Sequence, residues 1–396
     1  MRKAIVVGAG IGGLTAAHAL RCVGWQVDVY EQAPKIGPVG AGIGIAPNAV
    51  KALDRLGLGV DLRERAKRQD GMEIRLRSGR RLASLPGSRI EERYGAPFYA
   101  LHRADLHELL AHRLSAATLH TGHRATRVTT ETNAATVTFQ ASAGPVSVTA
   151  DLVVVADGVH SELRASLFPG YPGPDYAGYT VWRGLVSTTS PTVPAVLSET
   201  WGRGARFGCV VLGEDRVYWF AGENMREHDK PAHRLDLLAE RFRGWHEPIP
   251  QLIAATPEDT LLRHDVYYLR APLPAFVLGR VVLLGDAAHA VTPDIGQGAC
   301  LAIEDAVVLA STMEEQGIDR GLRAYDTVRR PRTENMARFS GRLANTLQTT
   351  NPVAARIRDV IALATPTPLL TRAAGTAFAW TPPPLAASGS AVTGSP

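Results

Sequence analysis

Cysteine is scarce in this chain, and its placement excludes two kinds of protein. The three cysteines, Cys22, Cys209 and Cys300, are odd in number and lie far apart in the sequence. This spacing excludes a disulfide framework and gives no pattern of metal ligands. We therefore expect reduced, buried cysteine side chains, no metal site and a cytoplasmic protein.

Long runs of one kind of residue are also missing. Lysine and arginine number 43 against 38 acidic residues, a net charge of +5, but the basic residues form no run of five or more. That pattern weighs against a nucleic-acid partner. No apolar run approaches the ~20 residues of a membrane span, and glycines break the first apolar stretch. We expect neither an integral membrane segment nor a signal peptide.

The chain does have the length and the apolar content for a sizeable core. Its 396 residues are 45% hydrophobic, which predicts one large or two medium domains. Short, wholly apolar runs at 4–7, 152–155 and 281–284 are typical of buried parallel strands. Alternating strands are predicted instead from 176 to 268, a block that holds four of the six tryptophans.

These patterns predict an α/β fold with three parts. A discontinuous Rossmann-like FAD-binding domain carries an inserted, β-sheet-rich substrate domain and is followed by C-terminal helices. The first domain takes residues 1–70, 98–172 and 276–345, and the second takes 71–97 and 173–275. Residues 346–381 are predicted to be a C-terminal helical segment, and the Pro-, Ala-, Gly- and Ser-rich residues 382–396 a disordered tail.

A glycine-rich turn near the N-terminus predicts a dinucleotide site. Gly8, Gly10 and Gly13 follow an apolar strand and open a helix, with Gly12 between them. The first glycine allows a tight turn, the second lets the backbone approach a pyrophosphate, and the third packs helix against strand. Glu31 ends the next strand, where a carboxylate suits the ribose hydroxyls of adenosine and repels a 2′-phosphate.

Two later segments extend this site towards a flavin. Asp157 follows the strand at 152–155, where it either serves a cofactor or is the N-cap of a helix. Asp286 ends the strand at 281–284, where a carboxylate can accept hydrogen bonds from a polyol such as ribityl. The next segment opens a long helix whose positive end favours the negative charge of a reduced flavin. The cofactor candidates in these last two segments are Gly285, Asp286, Pro293, Gly296, Gln297 and Gly298.

The three segments, in this order, resemble the fingerprints of single-component, class A flavoprotein monooxygenases, the relatives of p-hydroxybenzoate and salicylate hydroxylase. The resemblance runs from Arg2 to about Phe339, and the 293–298 segment is most similar to a subgroup that includes flavin urate hydroxylases and epoxidases. The stretch around Gly42 resembles the mobile flavin loop of the family. Arg103 stands where the family has an arginine for the FAD phosphates.

The resemblance implies a cofactor and a reaction. It implies tightly but non-covalently bound FAD, NADH or NADPH as a transient reductant, and O2, which forms a C4a-hydroperoxide that hydroxylates an aromatic or heteroaromatic small molecule. The alternative with the same cofactor chemistry is epoxidation or Baeyer–Villiger oxidation of a secondary metabolite. A reductase of isoprenoid chains that uses the same flavin and needs no oxygen, and a non-enzymatic FAD- or nucleotide-binding regulator, are further alternatives. We expect a monomer or a homodimer.

Four residues are candidates for the chemistry at the substrate. Pro293 would lie near the reactive oxygen according to the resemblance. Arg206 and Tyr218 lie on strands that can pair, and Asp294 or Tyr218 could act as general base towards a phenol, purine or enol. The alternatives are that Arg206 is a solvated edge residue and Tyr218 a core aromatic. His289 is more simply interpreted as structural.

Overall fold

A computed structural model describes residues 1–37, 40–115, 118–187, 193–213 and 215–385. Glu214, in the turn that we predicted between Arg206 and Tyr218, and residues 386–396 of the predicted tail lie outside the described residues. The strands are β1 (Lys3–Val7), β2 (Gln26–Tyr30), β3 (Gly42–Ile45), β4 (Lys67–Arg68), β5 (Gly71–Leu76), β6 (Arg81–Pro86), β7 (Tyr99–His102), β8 (Leu119–His120), β9 (Arg124–Thr130), β10 (Ala135–Ala141), β11 (Gly144–Ala150), β12 (Leu152–Val155), β13 (Asp175–Ser187), β14 (Val196–Trp201), β15 (Ala205–Val211), β16 (Arg216–Asn224), β17 (Leu262–Tyr268), β18 (Val277–Leu278) and β19 (Val281–Leu283). The helices are α1 (Ile11–Cys22), α2 (Pro47–Arg55), α3 (Gly59–Arg65), α4 (Gly87–Tyr94), α5 (Arg103–Ala111), α6 (Glu162–Leu167), α7 (Arg234–Arg241), α8 (Ile249–Ala254), α9 (Asp286–His289), α10 (Gly298–Leu347), α11 (Pro352–Ala364) and α12 (Thr367–Phe378).

The first layer is a mainly parallel sheet in the order β18-β19-β12-β1-β2-β8. The strand β1 pairs in parallel with both β2 and β12, and β12 pairs in parallel with β19. Each of β1, β12 and β19 is an apolar run that is buried along nearly its whole length, because helices such as α1 and α10 pack on the sheet. Their carboxyl ends therefore lie side by side at one edge of the sheet.

The second layer is a seven-stranded sheet in the order β17-β13-β16-β15-β14-β5-β6. It takes β5 and β6 from the early part of the chain and joins them to the later strands through the parallel pair of β5 with β14. This sheet and the parallel sheet confirm the α/β class. The domain boundaries remain our prediction, and the one at residue 345 falls inside α10, which is kinked at the left-handed Gly317 (φ +71°) and ends at Leu347.

The seven-stranded sheet has two different faces because side chains alternate along each strand. One face carries Trp182 and Trp219, which pack with Phe242 and Trp245 from the segment that follows α7. The opposite face carries Tyr179, which packs near Ala344 of α10, and the buried side chains that approach β3 and β7. This second face is turned towards the layer of the parallel sheet. We call this face of the seven-stranded sheet the roof.

The C-terminal residues form separate helices, followed by a packed segment without regular secondary structure. The helices α11 and α12 are separated at Pro366, since a proline inside a continuous helix would remove a backbone hydrogen bond. The disordered tail was predicted to begin at residue 382, but Ser311 donates to the carbonyl oxygen of Pro384 and Leu385 packs on the main core. That boundary is a correction, since these contacts outweigh the polar composition. Within the described ranges, no helix is long and apolar enough to cross a membrane.

Candidate active site

The turn between β1 and α1 leaves room for nothing larger than hydrogen at two of its glycines. Gly8 has φ +99°, and a Cβ there would overlap the carbonyl oxygen of Ala156. A Cβ at Gly13 would overlap the carbonyl oxygen of Gly8. A Cβ at Gly10, by contrast, would meet no described atom within 4 Å. The close approaches at Gly8 and Gly13 fix the shape of the turn. Gly10 faces open space at the start of α1, where a pyrophosphate would bind.

Two acidic side chains lie at this turn. Glu31 folds back so that Oε2 accepts from Ala9 N at 2.8 Å and Oε1 accepts from Ala33 N at 2.8 Å. Its carboxylate is half-buried and keeps further lone pairs for ribose hydroxyls. Asp157 lies next to Gly8, and its buried Oδ1 accepts no hydrogen bond from the described residues. Burial raises the pKa of Asp157.

The N-cap alternative for Asp157 is wrong. Ser161 is the N-cap of α6, and its Oγ accepts from the backbone N of Arg164 at 2.9 Å. The buried Oδ1 of Asp157 is thus left without a partner among the described residues, and its role towards a cofactor hydroxyl remains our prediction.

Asp286 and Arg103 form a charged pair farther along the same edge of the sheet. The Asp286 carboxylate is exposed to solvent although protein surrounds it on most sides. This desolvation raises the pKa of Asp286 against the opposing effects of His289 and Arg103. Burial lowers the pKa of Arg103, and Asp286 counteracts it. Arg103 is tied to the loop before β3, because its backbone N donates to Ala41 O at 2.9 Å.

The start of α10 faces this region. A short 3-10 turn, Pro293–Ile295, leads into Gly296, which is left-handed with φ +62°, and Gln297 is the N-cap residue of the helix. The first N–H groups of α10 have no partner within the helix and add to its positive end. Gly298 lies close to Asp286, since a Cβ there would be 3.8 Å from Asp286 Oδ1.

These residues fit FAD. An open glycine turn and a cation suit the pyrophosphate, three separate carboxylates suit ribose and ribityl hydroxyls, and an uncovered helix start suits an electron-rich pyrimidine edge. The structure brings together the predicted cofactor residues Gly8, Gly10, Gly12, Gly13, Glu31, Gly42, Arg103, Asp157, Gly285, Asp286, Pro293, Gly296, Gln297 and Gly298 on the layer between the parallel sheet and the roof. Their individual roles towards FAD remain our prediction. The described side chains hold no cluster that could bind a metal ion.

Two glycine substitutions separate folding from cofactor binding. Gly10→Ala should keep the stability of the apoprotein, because Gly10 is extended (φ −71°, ψ 177°) and its Cβ meets only open space. It should weaken FAD binding about tenfold or more, because the methyl group occupies the approach to the pyrophosphate. Gly13→Val should instead destabilise the apoprotein by about 1–3 kcal/mol through overpacking against Gly8.

The measurements are FAD titration by fluorescence quenching and chemical unfolding of the apoproteins. A Gly10→Ala protein that binds FAD as tightly as the unchanged chain would contradict the placement of the pyrophosphate.

Arg206 of the roof and Asp294 of the turn before α10 form a buried ion pair. Arg206 Nη2 lies 2.8 Å from Asp294 Oδ1, and the two side chains are 2% and 0% exposed. Arg206 Nη1 also donates to Glu199 Oε1 at 3.3 Å, so one guanidinium serves two carboxylates. Burial alone would lower the pKa of Arg206, but the charges of Glu199 and Asp294 outweigh the effect of burial and raise that pKa. Arg206 is therefore not a solvated edge residue.

Tyr179 completes this cluster. Its Oη donates to Asp294 Oδ2 at 2.6 Å, and its ring lies under the Arg206 guanidinium, 5.9 Å from the ring centre. Burial and the neighbouring Asp294 raise the pKa of Tyr179. The phenol is therefore a neutral hydrogen-bond donor at every physiological pH. Asp294 is held from one side by a cation and from the other by a hydroxyl.

Tyr218 lies on the same face of the roof but outside this hydrogen-bonded cluster. Its Oη accepts from Arg183 Nη1 at 2.6 Å, and its ring packs so tightly on β3 that a Cβ at Gly42 would overlap it. The structure thus joins Arg206 to Asp294 and places Tyr218 against the predicted flavin loop. Tyr218 is buried, as the core-aromatic alternative predicted, and its hydroxyl is bound by Arg183.

His289 is buried and structural, in agreement with the simpler interpretation of the sequence. Its Nε2 lies 2.5 Å from Asp305 Oδ2, and the same carboxylate oxygen accepts from Gly285 N at 2.9 Å. The pair anchors the turn at Gly285 through this shared carboxylate oxygen.

Sequence reasoning missed Tyr179 and Glu199. The alternation along β14 and β15 was the available signal, because Glu199, Trp201 and Arg206 occupy one face of two paired strands. No local pattern marks Tyr179, whose partner Asp294 is 115 residues away.

Comparisons with known proteins agree with this site. The FAD binding domain family matches residues 1–340. Aurachin C monooxygenase/isomerase from Stigmatella aurantiaca is 38% identical over 90% of this chain and 92% of its own length. The FAD-dependent urate hydroxylase of Klebsiella pneumoniae is 36% identical over 84% of this chain and 87% of its own. The crystal structure of Klebsiella pneumoniae HpxO complexed with FAD and uric acid superposes with a TM-score of 0.86 at 32% identity, covering 94% of this chain and 95% of that chain.

Proposed function

Because the chain belongs to the FAD binding domain family and is an FAD-dependent monooxygenase, we propose that it hydroxylates an aromatic or heteroaromatic ring bearing an acidic O–H or N–H group. The observation that carries this proposal is the buried Asp294 carboxylate, held by Arg206 and Tyr179 beside the start of α10. Relatives named for urate, 3-amino-4-hydroxybenzoate and 6-hydroxynicotinate support it, because all three compounds carry such a group.

The cluster can activate such a ring by accepting its proton. Removal of the O–H or N–H proton by Asp294 makes the ring more electron-rich and therefore a better acceptor of an electrophilic oxygen atom. Arg206 and Tyr179 keep the carboxylate oriented, and the rings of Tyr218 and Phe220 cover the site from the roof. Pro293, one residue before Asp294, would place its backbone at the reacting oxygen.

The bound flavin supplies the redox chemistry, taking a hydride from NADH or NADPH and passing one atom of O2 to the substrate. The balance is one ring C–H converted to C–OH, with NAD(P)H oxidised to NAD(P)+ and the second oxygen atom released as water. The chain contributes Asp294 as the proton acceptor, the arginine and tyrosine that hold it, and a site closed to bulk water, in which premature loss of the oxidant is suppressed.

Labelled oxygen tests the proposal. The purified protein should be yellow with FAD, and its oxidation of NADH or NADPH should accelerate with one member of a panel of phenols, hydroxypyridines and purines. Under 18O2 the product should gain a single labelled atom, and under argon no product should form. Unlabelled product, or turnover without oxygen, would overturn it. The oligomeric state, monomer or homodimer in our prediction, is read from the same material by light scattering.

The alternative of epoxidation or Baeyer–Villiger oxidation has one observation in its favour. The relative at 38% identity is named for both monooxygenase and isomerase activity, which differs from simple ring hydroxylation. Product structure decides between the two. An epoxide or lactone, or a rearranged skeleton, would replace ring hydroxylation while leaving the same flavin and the same label from O2.

A further inference from the structure

A buried hydrogen-bonded network joins the start of α2 to the start of α10. Asn48, the second residue of α2, is 0% exposed, and its Nδ2 donates to Gln297 Oε1 at 2.9 Å and to Glu304 Oε1 at 2.6 Å. One amide group therefore links the segment after β3 to both the N-cap and the second turn of the helix that faces the flavin site. These partners are about 250 residues apart in the chain, being separated by 249 and 256 positions.

The charge of Glu304 determines which way the Asn48 amide is turned. Arg332 binds the two oxygens of Glu304 through Nη2 and Nε at 2.6 Å each, and Arg329 Nη1 adds a third contact at 2.7 Å. A carboxylate between two guanidinium groups is anionic and only accepts hydrogen bonds. Asn48 must therefore present its NH2 group to Glu304. The reversed amide would place its carbonyl oxygen against the carboxylate, an uncompensated repulsion in a buried site.

The orientation of Asn48 in turn determines that of Gln297. The NH2 group of Asn48 serves both neighbours, so Gln297 must present Oε1 to it, and its Nε2 points the other way. Among the described residues none accepts a hydrogen bond from Gln297 Nε2, although the residue as a whole is 1% exposed. Gln297 is the N-cap residue of α10, at the helix end that we expect the flavin pyrimidine ring to contact.

We propose that Asn48 is a positioning residue that locks the Gln297 amide with its N–H edge towards the flavin. Glu304, which is held by Arg329 and Arg332, fixes the orientation of the Asn48 amide. Asn48 in turn fixes the orientation of the Gln297 amide. The inference rests on FAD binding and is independent of the proposed substrate, because it concerns the flavin and not the ring that is oxidised.

The consequence is a preference for reduced flavin. Two-electron reduction places negative charge on the pyrimidine edge, so an N–H donor there binds the reduced form better than the oxidised form, as the positive end of α10 also does. If the amide could rotate, its carbonyl oxygen would face the same edge half of the time and the preference would fall. The fixed orientation of the Gln297 amide thus favours electron transfer from the nicotinamide cofactor to the flavin.

The test is the midpoint potential of the bound flavin, measured by dye-coupled reductive titration of the FAD-loaded protein without substrate. Asn48→Leu removes the hydrogen bonds from Asn48 to Gln297 and Glu304, with a side chain of nearly the same volume. Gln297→Glu keeps the bond from Asn48 but replaces the N–H edge by a carboxylate oxygen. We expect the ratio of affinities for reduced over oxidised FAD to fall about threefold to tenfold in Asn48→Leu, the size of one hydrogen bond, and by more in Gln297→Glu. A tenfold fall lowers a two-electron potential by about 30 mV.

Thr333→Val is the matched control, because Thr333 is equally buried on α10 and bonds only to carbonyl oxygens of its own helix. It should leave the potential unchanged. The double variant Asn48→Leu with Gln297→Leu should not differ from Gln297→Leu alone, since Asn48 acts through Gln297. An unchanged potential in either Gln297→Glu or Asn48→Leu would overturn the proposal, as would additive shifts in the double variant. If Asn48→Leu does not fold, the Gln297→Glu result still decides whether an N–H edge faces the flavin.

Discussion

Asp294→Asn should lower the substrate-dependent turnover number by about 10²–10⁴-fold, the usual contribution of a general base. The amide cannot accept the ring proton, and it leaves Arg206 with Glu199 as its one remaining carboxylate partner in the cluster. Shape is nearly conserved, since Tyr179 can still donate to the amide oxygen. The rate at which NADH or NADPH reduces the flavin without substrate should change little, because that step needs no base at the ring.

Asp265→Asn provides the matched control for this prediction. Asp265, on β17, is also an acid bound by an arginine and a hydroxyl, accepting from Arg263 at 2.8 Å and from Thr180 at 2.7 Å. It lies on the opposite face, away from Asp294, so its variant should retain most of the turnover. Stopped-flow reduction, steady-state turnover and hydrogen peroxide release are measured on all three proteins. Full turnover in Asp294→Asn would remove Asp294 from the role of base, and loss of flavin reduction would assign it to cofactor binding instead.

The cofactor side of the site was predictable because it depends on order along the chain. Each of the three cofactor segments follows a short, wholly apolar strand, and such strands pack in parallel with their carboxyl ends at one edge. In the structure β1, β12 and β19 are neighbours, so the glycine turn, Asp157 and Asp286 meet there. The order of these three runs in the sequence therefore predicts that the three cofactor segments meet at one edge of the sheet.

The substrate side was not predictable in the same way. Alternation assigns Arg206 to one face of its strand, but it does not tell which strands flank it. Arg206 was open to interpretation as an edge residue, yet β15 lies between β14 and β16, and the described edges of that sheet are β17 and β6. Tyr179 and Asn48 find their acidic partners across 115 and 256 positions. The first pairing depends on how the seven-stranded sheet packs over the turn before α10, and the second on how α2 packs against α10, and no local pattern encodes either.

Arg329→Met should have the largest effect on stability, about 3–5 kcal/mol, the cost of removing one partner from a buried ion pair. Arg329 is 0% exposed and bridges Glu304 at 2.7 Å and Asp305 at 2.6 Å. Methionine fills much of the volume but leaves two buried carboxylates with less compensation. The exposed pair of Arg63 with Asp54 offers the control, since Arg63→Met should cost at most about 1 kcal/mol. Urea unfolding of the apoproteins measures both, because bound FAD would add its own stabilisation.

The pH dependence of stability should differ in size between the unchanged chain and Arg329→Met. Burial alone would raise the pKa of Asp305, but His289 and Arg329 outweigh it and hold that pKa well below its usual value. In the unchanged chain this contributes stability that is complete at neutral pH and is lost as the pH falls through the folded-state pKa. Without Arg329, the pKa of Asp305 should rise towards its ordinary value, with His289 still lowering it, so ionisation of Asp305 contributes less to the stability of the variant. The stability difference between the two proteins should therefore shrink as the pH falls from about 4 towards about 2, where the unchanged chain loses more stability than the variant. A difference that stays constant over this range would show that the loss comes from packing and not from the uncompensated charge.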